Sequence, residues 1–266
     1  MGLALVDDVQ PQIDTDRFGR SMRGVETVGS TNTAAAEWAR KGAEEGSVVV
    51  TEYQSEGRGR HGRTWDAEKG TNLMFSVVLC PTLEADRLSL ITVASSVAVA
   101  EAIDAFMTGH EAALKWPNDV LLEGRKTCGM LLESSLSGAQ NAEVVVLGVG
   151  LNVNQTAFPD ALVDTATSLH LVTGRAVPRA ALLARVLARL EAQYDAVQSG
   201  PSARDAVRAA FHERLAALQE SMTFRASETG DTITGVVQGI TDTGALRLDT
   251  PDGPRIVHAG EVTSRV

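Results

Sequence analysis

Two apolar runs, Val48-Val49-Val50-Thr51-Glu52-Tyr53 and Leu73-Met74-Phe75-Ser76-Val77-Val78-Leu79, bracket a segment of opposite character, Gly57-Arg58-Gly59-Arg60-His61-Gly62-Arg63. Runs of this kind read as strands, so the segment between them is pinned at both ends and reads as a binding loop on a scaffold. The tight apolar flanks disfavour the alternative, a disordered RGG-like tract that binds RNA. Three arginines and three glycines in seven residues, in a chain of formal net charge −10, point to a bound anion. Glycine lets the backbone approach a ligand closely, and each guanidinium offers forked donors matched to carboxylate or phosphate. A chain this acidic is ill suited to broad nucleic-acid binding, which depends on neutralising phosphates, so the loop serves something small.

At 266 residues the chain can bury a substantial core in one large or two unequal domains. With 44% hydrophobic and 22% charged residues it has an ordinary globular composition. No stretch approaches the roughly 20 consecutive apolar residues of a membrane span. The start, Met1-Gly2-Leu3-Ala4-Leu5-Val6-Asp7-Asp8, lacks a basic n-region or cleavage pattern, so a cytoplasmic location is expected. Cys80 and Cys128, each in an apolar run, read as buried free thiols rather than a disulfide. Of 24 basic residues only four are lysines, and Lys115 and Lys126 lie close together in sequence.

Residues 1–24 are polar and aperiodic and are expected to form an extension that packs only partly. Ser30-Thr31-Asn32 reads as a helix cap, followed by a helix from Thr33 to Lys41 that stops at Gly42. Residues 88–107 read as a buried helix. Short strands follow at 113–116, 120–122, 127–132, 142–147 and 151–153, with a turn at Glu123-Gly124-Arg125 and with Gly148 and Gly150 separating the last two. Helices are expected over 178–197, opening on Pro178, and over 202–215. Beyond Leu218 the texture changes to short strands at 222–225, 233–237, 245–248 and 256–258. Turns at Thr229-Gly230, Thr243-Gly244 and Asp252-Gly253 separate them, which implies a small β-barrel. The expected units are 1–24, 25–217 and 218–266.

A second constellation is Lys115-Trp116-Pro117-Asn118-Asp119 followed by Arg125-Lys126-Thr127-Cys128-Gly129-Met130. Pro117 breaks a strand and can place a cation beside a carboxamide and a carboxylate at a sheet edge. Lys126 enters an apolar strand, where an ammonium needs an anionic partner. The structural alternative pairs Lys115 and Lys126 with Asp119 or Glu133. Ser30-Thr31-Asn32 is explained by capping alone, although a helix start also suits a carbonyl or ureido oxygen. Gln54 can donate and accept at once. Asn152, after Gly148-Val149-Gly150-Leu151, is either a turn residue or a reader of a ribose. The five histidines are scattered without ligand spacing, so no resident metal site is expected. No P-loop, no GxGxxG opening a helix and no GxSxG elbow occurs.

Taken in order, Ser30-Thr31-Asn32, Glu52-Tyr53-Gln54, Gly57 to Arg63, Lys115 to Asp119, Arg125-Lys126 with Gly129, and Gly148 to Asn152 resemble biotin protein ligases. The terminal stretch, with Asp242-Thr243-Gly244-Ala245-Leu246 and Ala259-Gly260-Glu261-Val262, resembles that family's SH3-like C-terminal domain. The resemblance implies an α+β fold: a central mixed β-sheet with helices on one side, related to class II aminoacyl-tRNA synthetase cores, plus a small SH3-like β-barrel. It implies ATP with Mg²⁺ and biotin as substrates. Biotinoyl-adenylate would form with loss of pyrophosphate, and a lysine of a biotin carboxyl carrier protein, part of acetyl-CoA carboxylase or a related enzyme, would then attack it.

By the same resemblance Ser30, Thr31, Asn32 and Gln54 bind the biotin rings, Gly57, Arg58, Gly59 and Arg60 close over the carboxylate, and Lys126 contacts carboxylate and α-phosphate. Arg58, Arg60, Arg63, Trp65, Lys115, Asn118, Lys126 and Asn152 serve ATP. Lys126, Arg58 and Arg60 are the catalytic cations, and Asp119 orients or deprotonates the acceptor lysine. The adenine-stacking residue is unassigned, with Phe158 one option, and His61 is incidental to the chemistry. Residues 1–24 are too few for the winged helix-turn-helix of bifunctional members, so DNA binding is not expected. An exposed sheet edge near the site could pair with the carrier or with a second copy, leaving a homodimer open. A lipoate-ligase-type adenylating enzyme and a non-catalytic biotin sensor are the alternatives.

Overall fold

The computed structural model describes residues 3–135, 144–226, 232–258 and 260–265. In chain order the elements are α1 (Ala4–Val9), β1 (Met22–Val28), α2 (Thr31–Arg40), β2 (Val48–Gln54), β3 (Leu73–Leu79), α3 (Ser89–Asp104), β4 (Ala113–Lys115), β5 (Asp119–Leu122), β6 (Arg125–Ser135) and β7 (Val144–Leu151). They continue with α4 (Leu169–Thr173), α5 (Arg179–Gln198), α6 (Pro201–Glu213), β8 (Ser221–Ala226), β9 (Thr232–Ile240), β10 (Leu246–Thr250), β11 (Gly253–Val257) and β12 (Gly260–Arg265). The first seven strands form one mixed sheet in the order β1-β2-β3-β7-β6-β5-β4, with β1 and β2 parallel and the rest antiparallel. The last five form a second, antiparallel sheet in the order β11-β10-β9-β8-β12.

Alternation along the strands divides the large sheet into two unlike faces. Val48, Val50, Phe75, Val77, Leu147, Val149, Val120 and Cys128 join α1, α3 and α5 in the main core. Val49, Val78 and Val146 point the other way and are covered by α2, with Ala35 at the contact. Helices therefore lie on both faces, not on one side as the resemblance implies. The helix α2 covers only part of its face, and the uncovered remainder holds the site.

Three further expectations change. Of the expected extension, residues 3–24 are more than partly packed: Leu3, Leu5, Val9 and Phe18 are all at most 5% exposed and belong to the main core. The connector is held by Glu191 of α5, whose carboxylate accepts backbone N–H bonds from Asp16 (2.8 Å), Arg17 (2.7 Å) and Phe18 (3.1 Å). Its sequence signal is weak because one buried acid, 173 residues away or more, satisfies its backbone. Next, Gly148 and Gly150 do not separate two strands; β7 runs straight through them. Finally, the expected burial of both thiols holds for Cys128 but Cys80 is only half-buried; both are free. Burial pushes both thiols up in pKa, with the Lys126 charge opposing this at Cys128. The start of the strand expected from 142, the turn at Thr229-Gly230 and Ala259 lie outside the described residues.

The second sheet docks on the first unit through residues that follow α6. Leu114 donates its N–H to the Arg214 carbonyl (2.7 Å) and accepts from Ala216 (2.9 Å), which covers the edge of β4. Trp116 donates its indole N–H to the Gly244 carbonyl (3.1 Å) and meets Phe224 edge-on. Among the described residues, no helix is long and apolar enough to cross a membrane. Replacing Glu191 by alanine strands three backbone N–H groups and is expected to cost about 2 kcal/mol. Urea denaturation followed by circular dichroism would measure it.

Candidate active site

The site is a trough on the face that α2 leaves open, and sheet register makes its floor. One cross-strand row runs Val49, Ser76, Gly148, Leu131. The next runs Thr51, Met74, Gly150, Gly129, Asp119, Lys115. Three of these positions are glycine, so the sheet offers bare backbone where side chains would otherwise stand. A Cβ at Gly148 would fall on the Asn32 carboxamide, and one at Gly150 on the Trp65 indole. At Gly129 it would come within 2.9 Å of Lys126 Nζ.

At one end of the trough stands the start of α2. Ser30 takes the cap position but its side chain does not cap; the expected Ser30 cap is replaced by Gln54. Gln54 Oε1 accepts from the Thr31 backbone N–H (2.7 Å) and from the Thr31 hydroxyl (3.1 Å). Strand β2 thus supplies from a distance the acceptor that an orphan helix N–H requires. Ser30, Thr31 and Asn32 are all buried. Ser76 Oγ lies 2.7 Å from Thr31 Oγ1 and 2.6 Å from Asn32 Oδ1. Ser76 escaped the sequence reading, although it is the lone polar residue in the run Leu73–Leu79.

At the other end lies Lys126, and a bulge puts it there. Asp119 pairs with Gly129 and Val120 with Cys128, but Leu121 pairs with Lys126, leaving Thr127 without a partner on β5. The extra residue reverses the alternation, so Lys126 emerges on the trough face while Cys128 stays in the core. Its Nζ is 2.7 Å from Asp119 Oδ1 and 5.5 Å from the centroid of the Trp65 ring. The expected structural pairing of Lys126 is therefore met by Asp119. Glu133 instead accepts from Arg58 (3.0 Å) and Asn32 (2.7 Å).

The glycine and arginine loop arches over this floor. Gly59 donates to the Arg63 carbonyl (2.7 Å) and Trp65 to the Gly57 carbonyl (2.9 Å), closing it into a narrow turn with His61 and Gly62 at positive φ. Arg58 reaches Thr33 (3.3 Å) and Glu133, while Arg60 reaches Asn118 Oδ1 (3.4 Å). Asn118 is fixed in turn by donating to the Met130 carbonyl (2.7 Å). Arg63 is exposed at the loop's outer end. Lys115 sits on the trough face at the end of the glycine row, opposite Asp119.

Beyond Lys126, Asn152 follows β7 and is 4% exposed. Its amide donates to the Thr167 carbonyl (3.0 Å), yet Asn152 Oδ1 and the Thr167 hydroxyl are buried without a described hydrogen-bond partner. Both are acceptor or hydroxyl groups left unmet just beyond the Lys126 end of the trough. Thr167 had no motif to announce it. The structure brings together the two ends of the sequence constellation, with Trp65 as the aromatic on the floor. Glu52 of the same motif string belongs elsewhere, in a two-pronged ion pair with Arg179 (2.6 and 3.1 Å).

Residues 24–152 match the model of the biotin/lipoate A/B protein ligase family, and residues 224–263 match the biotin protein ligase C terminal domain. The chain is 35% identical over 240 residues to a biotin–[acetyl-CoA-carboxylase] ligase of Paracoccus denitrificans, covering 88% of this chain and 96% of that protein. It is 32% identical over 253 residues to a bifunctional ligase/repressor of Bacillus spizizenii, covering 94% and 76%. The structure of a biotin protein ligase from Aquifex aeolicus in complex with biotin and ATP superposes with a TM-score of 0.81 at 27% identity, covering 93% of this chain and all of that one.

The bare floor makes a direct forecast. Gly150→Ala should displace the Trp65 indole at an overpacking cost of about 1–3 kcal/mol. Tryptophan emission should shift relative to wild type in a protein that still unfolds cooperatively, and the shift should vanish in a Trp65→Phe background.

Proposed function

The chain belongs to the biotin protein ligase family, and from that premise we propose how its own residues perform the reaction. It is an ATP-dependent ligase that activates biotin as biotinoyl-5′-AMP and transfers the biotinoyl group to protein. The acceptor is a lysine of a biotin carboxyl carrier protein, in keeping with the acetyl-CoA carboxylase in the relatives' names. The working unit runs to about residue 217, with residues 1–24 as an integral part of it, and the C-terminal unit follows from 218.

Biotin lies along the trough with its rings at Ser30, Thr31, Asn32 and Gln54 and its carboxylate toward Lys126, under Gly57, Arg58, Gly59 and Arg60. ATP occupies the far end, against Trp65, Lys115, Asn118 and Asn152, with Arg63 at the loop's outer end. In the first step a carboxylate oxygen forms a bond to the α-phosphorus, the bond to pyrophosphate breaks, and its electron pair leaves with pyrophosphate. No proton moves, but two anions must meet. The chain's task is to hold cations where charge accumulates. The observation that carries this reading is the bulge that lifts Lys126 onto the glycine floor, 2.7 Å from Asp119. Asp119 directs the ammonium, and substrate oxygens then share it.

In the second step the neutral amine of the acceptor lysine attacks the mixed anhydride, the bond to AMP breaks, and a proton must leave the nitrogen. Asp119 is the carboxylate in the trough suited to orient that amine and take the proton. Mg²⁺, bound with ATP, would neutralise part of the phosphate charge. Asn118 and Asp119, whose side-chain oxygens face the trough, would hold such a cation beside the phosphates.

Biotin-dependent exchange of pyrophosphate into ATP tests the assignment. Wild type is expected to exchange with biotin and not with lipoate, and Lys126→Ala to lose about 10²–10³-fold. A folded wild type without exchange would overturn it. Arg60→Gly, which removes the tie to Asn118 that holds the loop down, is expected to keep part of the exchange activity. It should release biotinoyl-adenylate into solution, read as biotinylation of bystander lysines; release at the wild-type level with exchange retained would contradict the loop's role.

A further inference from the structure

A carboxylate with no part in these steps controls the ring end of the trough. Glu133 lies on β6 beside Val146, on the same face as Leu131 and Gly129. Its Oε2 accepts from Asn32 Nδ2 at 2.7 Å and from Arg58 at 3.0 Å. A carboxylate can only accept, so the amide nitrogen of Asn32 must face it; the remaining amide hydrogen goes to the Leu131 carbonyl at 3.3 Å. Asn32 Oδ1 is thereby turned over Gly148, 2.6 Å from Ser76 Oγ.

The direction of each neighbouring bond follows by counting protons. Asn32 Oδ1 can only accept, so the single hydroxyl proton of Ser76 goes to it. Ser76 then has only lone pairs to offer Thr31 Oγ1, 2.7 Å away. The Thr31 proton goes to Ser76 or to Gln54 Oε1 at 3.1 Å. In either arrangement all the side-chain protons of Asn32, Ser76 and Thr31 are used within the wall, and what these three side chains present to the trough is lone pairs.

We propose that Glu133 is a positioning residue that sets the hydrogen-bond polarity of this wall, so that the pocket accepts from ligand N–H groups and selects a ring that carries them. The inference rests on the biotin reading above. The ureido ring of biotin carries two N–H donors at the end remote from its carboxylate, whereas the dithiolane of lipoate carries none. A site built to accept a hydrogen bond rejects a ligand that lacks the donor, because its own polar groups are left unpaired. Without Glu133 only the longer bond to the Leu131 carbonyl, 3.3 Å, opposes a half-turn of the Asn32 carboxamide, after which a donor meets the ligand's donor.

The test measures binding of biotin and of a biotin methylated on a ring nitrogen, by titration calorimetry, to wild type and three variants. Glu133→Met is expected to weaken biotin about tenfold while leaving the methylated analogue near its wild-type affinity, so the ratio between the two collapses. Asn32→Asp sets two carboxylates against each other and is expected to weaken biotin by about tenfold or more. Adding Glu133→Gln to Asn32→Asp restores a donor between the two side chains, with the partners exchanged. Biotin affinity should then return to within about threefold of wild type, a recovery that a purely structural Glu133 would not give. A wild-type ratio in Glu133→Met overturns the inference, as does a double variant no better than Asn32→Asp; the swap decides alone if Glu133→Met does not fold. Failure of wild type to bind biotin overturns the underlying reading instead.

Discussion

The register of β3, β7 and β6 is the constraint on which the rest depends. Leu147, Val149 and Leu151 fill the main core, while Gly148 and Gly150, between them, leave the opposite face bare. A slip of one residue would exchange these sets, placing apolar side chains in the trough and backbone in the core. Core packing therefore enforces the shape of the site. The depth at Gly129 and Gly150, the seat of the Trp65 ring and the contact of Asn32 with Gly148 all follow from this alignment. On the other side of β6, a bulge at Thr127 against β5 shifts the register and brings the Lys126 ammonium onto the trough face.

Charge placement separates scaffold from site in a chain of net charge −10. Arg179 is clamped by both oxygens of Glu52, a pair in which each side chain is at most 19% exposed. Arg17 loses some stability of its charge to burial, but Asp195, Glu45 and Glu191 outweigh that and raise its pKa. These pairs tie distant segments together. The cations of the trough are held differently. Lys126 has one carboxylate, Asp119, and Arg58 has Glu133 at a rim where both side chains are over a third exposed. The Arg58 pair, exposed on both sides, holds an orientation and contributes little to stability, while in the Lys126 pair Asp119 is the more buried partner, 19% exposed against 35%.

The C-terminal sheet reaches the same place from behind. Trp116, between Lys115 and the Asn118-Asp119 pair, donates to the Gly244 carbonyl, and Ser89 at the start of α3 donates to the Thr243 carbonyl. A cavity at this junction is lined by Arg60, Trp116, Asn118, Met130, Gly244 and His258. The turn that carries Asn118 is thus braced by the second sheet, which gives the terminal β-unit a mechanical link to the loop through Arg60.

Much of this was legible in the chain. The strands at 48–54 and 73–79, the helix ending before Gly42, the change to short strands after 218 and the two basic motifs are local signals, written in hydrophobic period and turn residues. They sufficed for individual helices and strands, a small terminal β-barrel and a small anionic ligand; the order of the motifs carried the family resemblance, and the resemblance implied the α+β fold. Other features came only with tertiary structure, because each is a relation between residues far apart in sequence. Residues 1–24 read as only partly packed until Glu191 satisfies the backbone of Asp16, Arg17 and Phe18. Ser30 looks like a cap until Gln54 takes that role, and which face of its apolar strand Lys126 takes is settled only by a register shift against β5. Ser76 and Glu133 carry no motif; the first is one hydroxyl in an apolar strand and the second one acid at a strand's end. Sequence by itself determined which chemistries the chain possesses, since charge, donor type and local geometry belong to single residues. Tertiary structure alone decided which way each group points, since strand register and the count of protons in a closed hydrogen-bond network are properties of the assembled sheet.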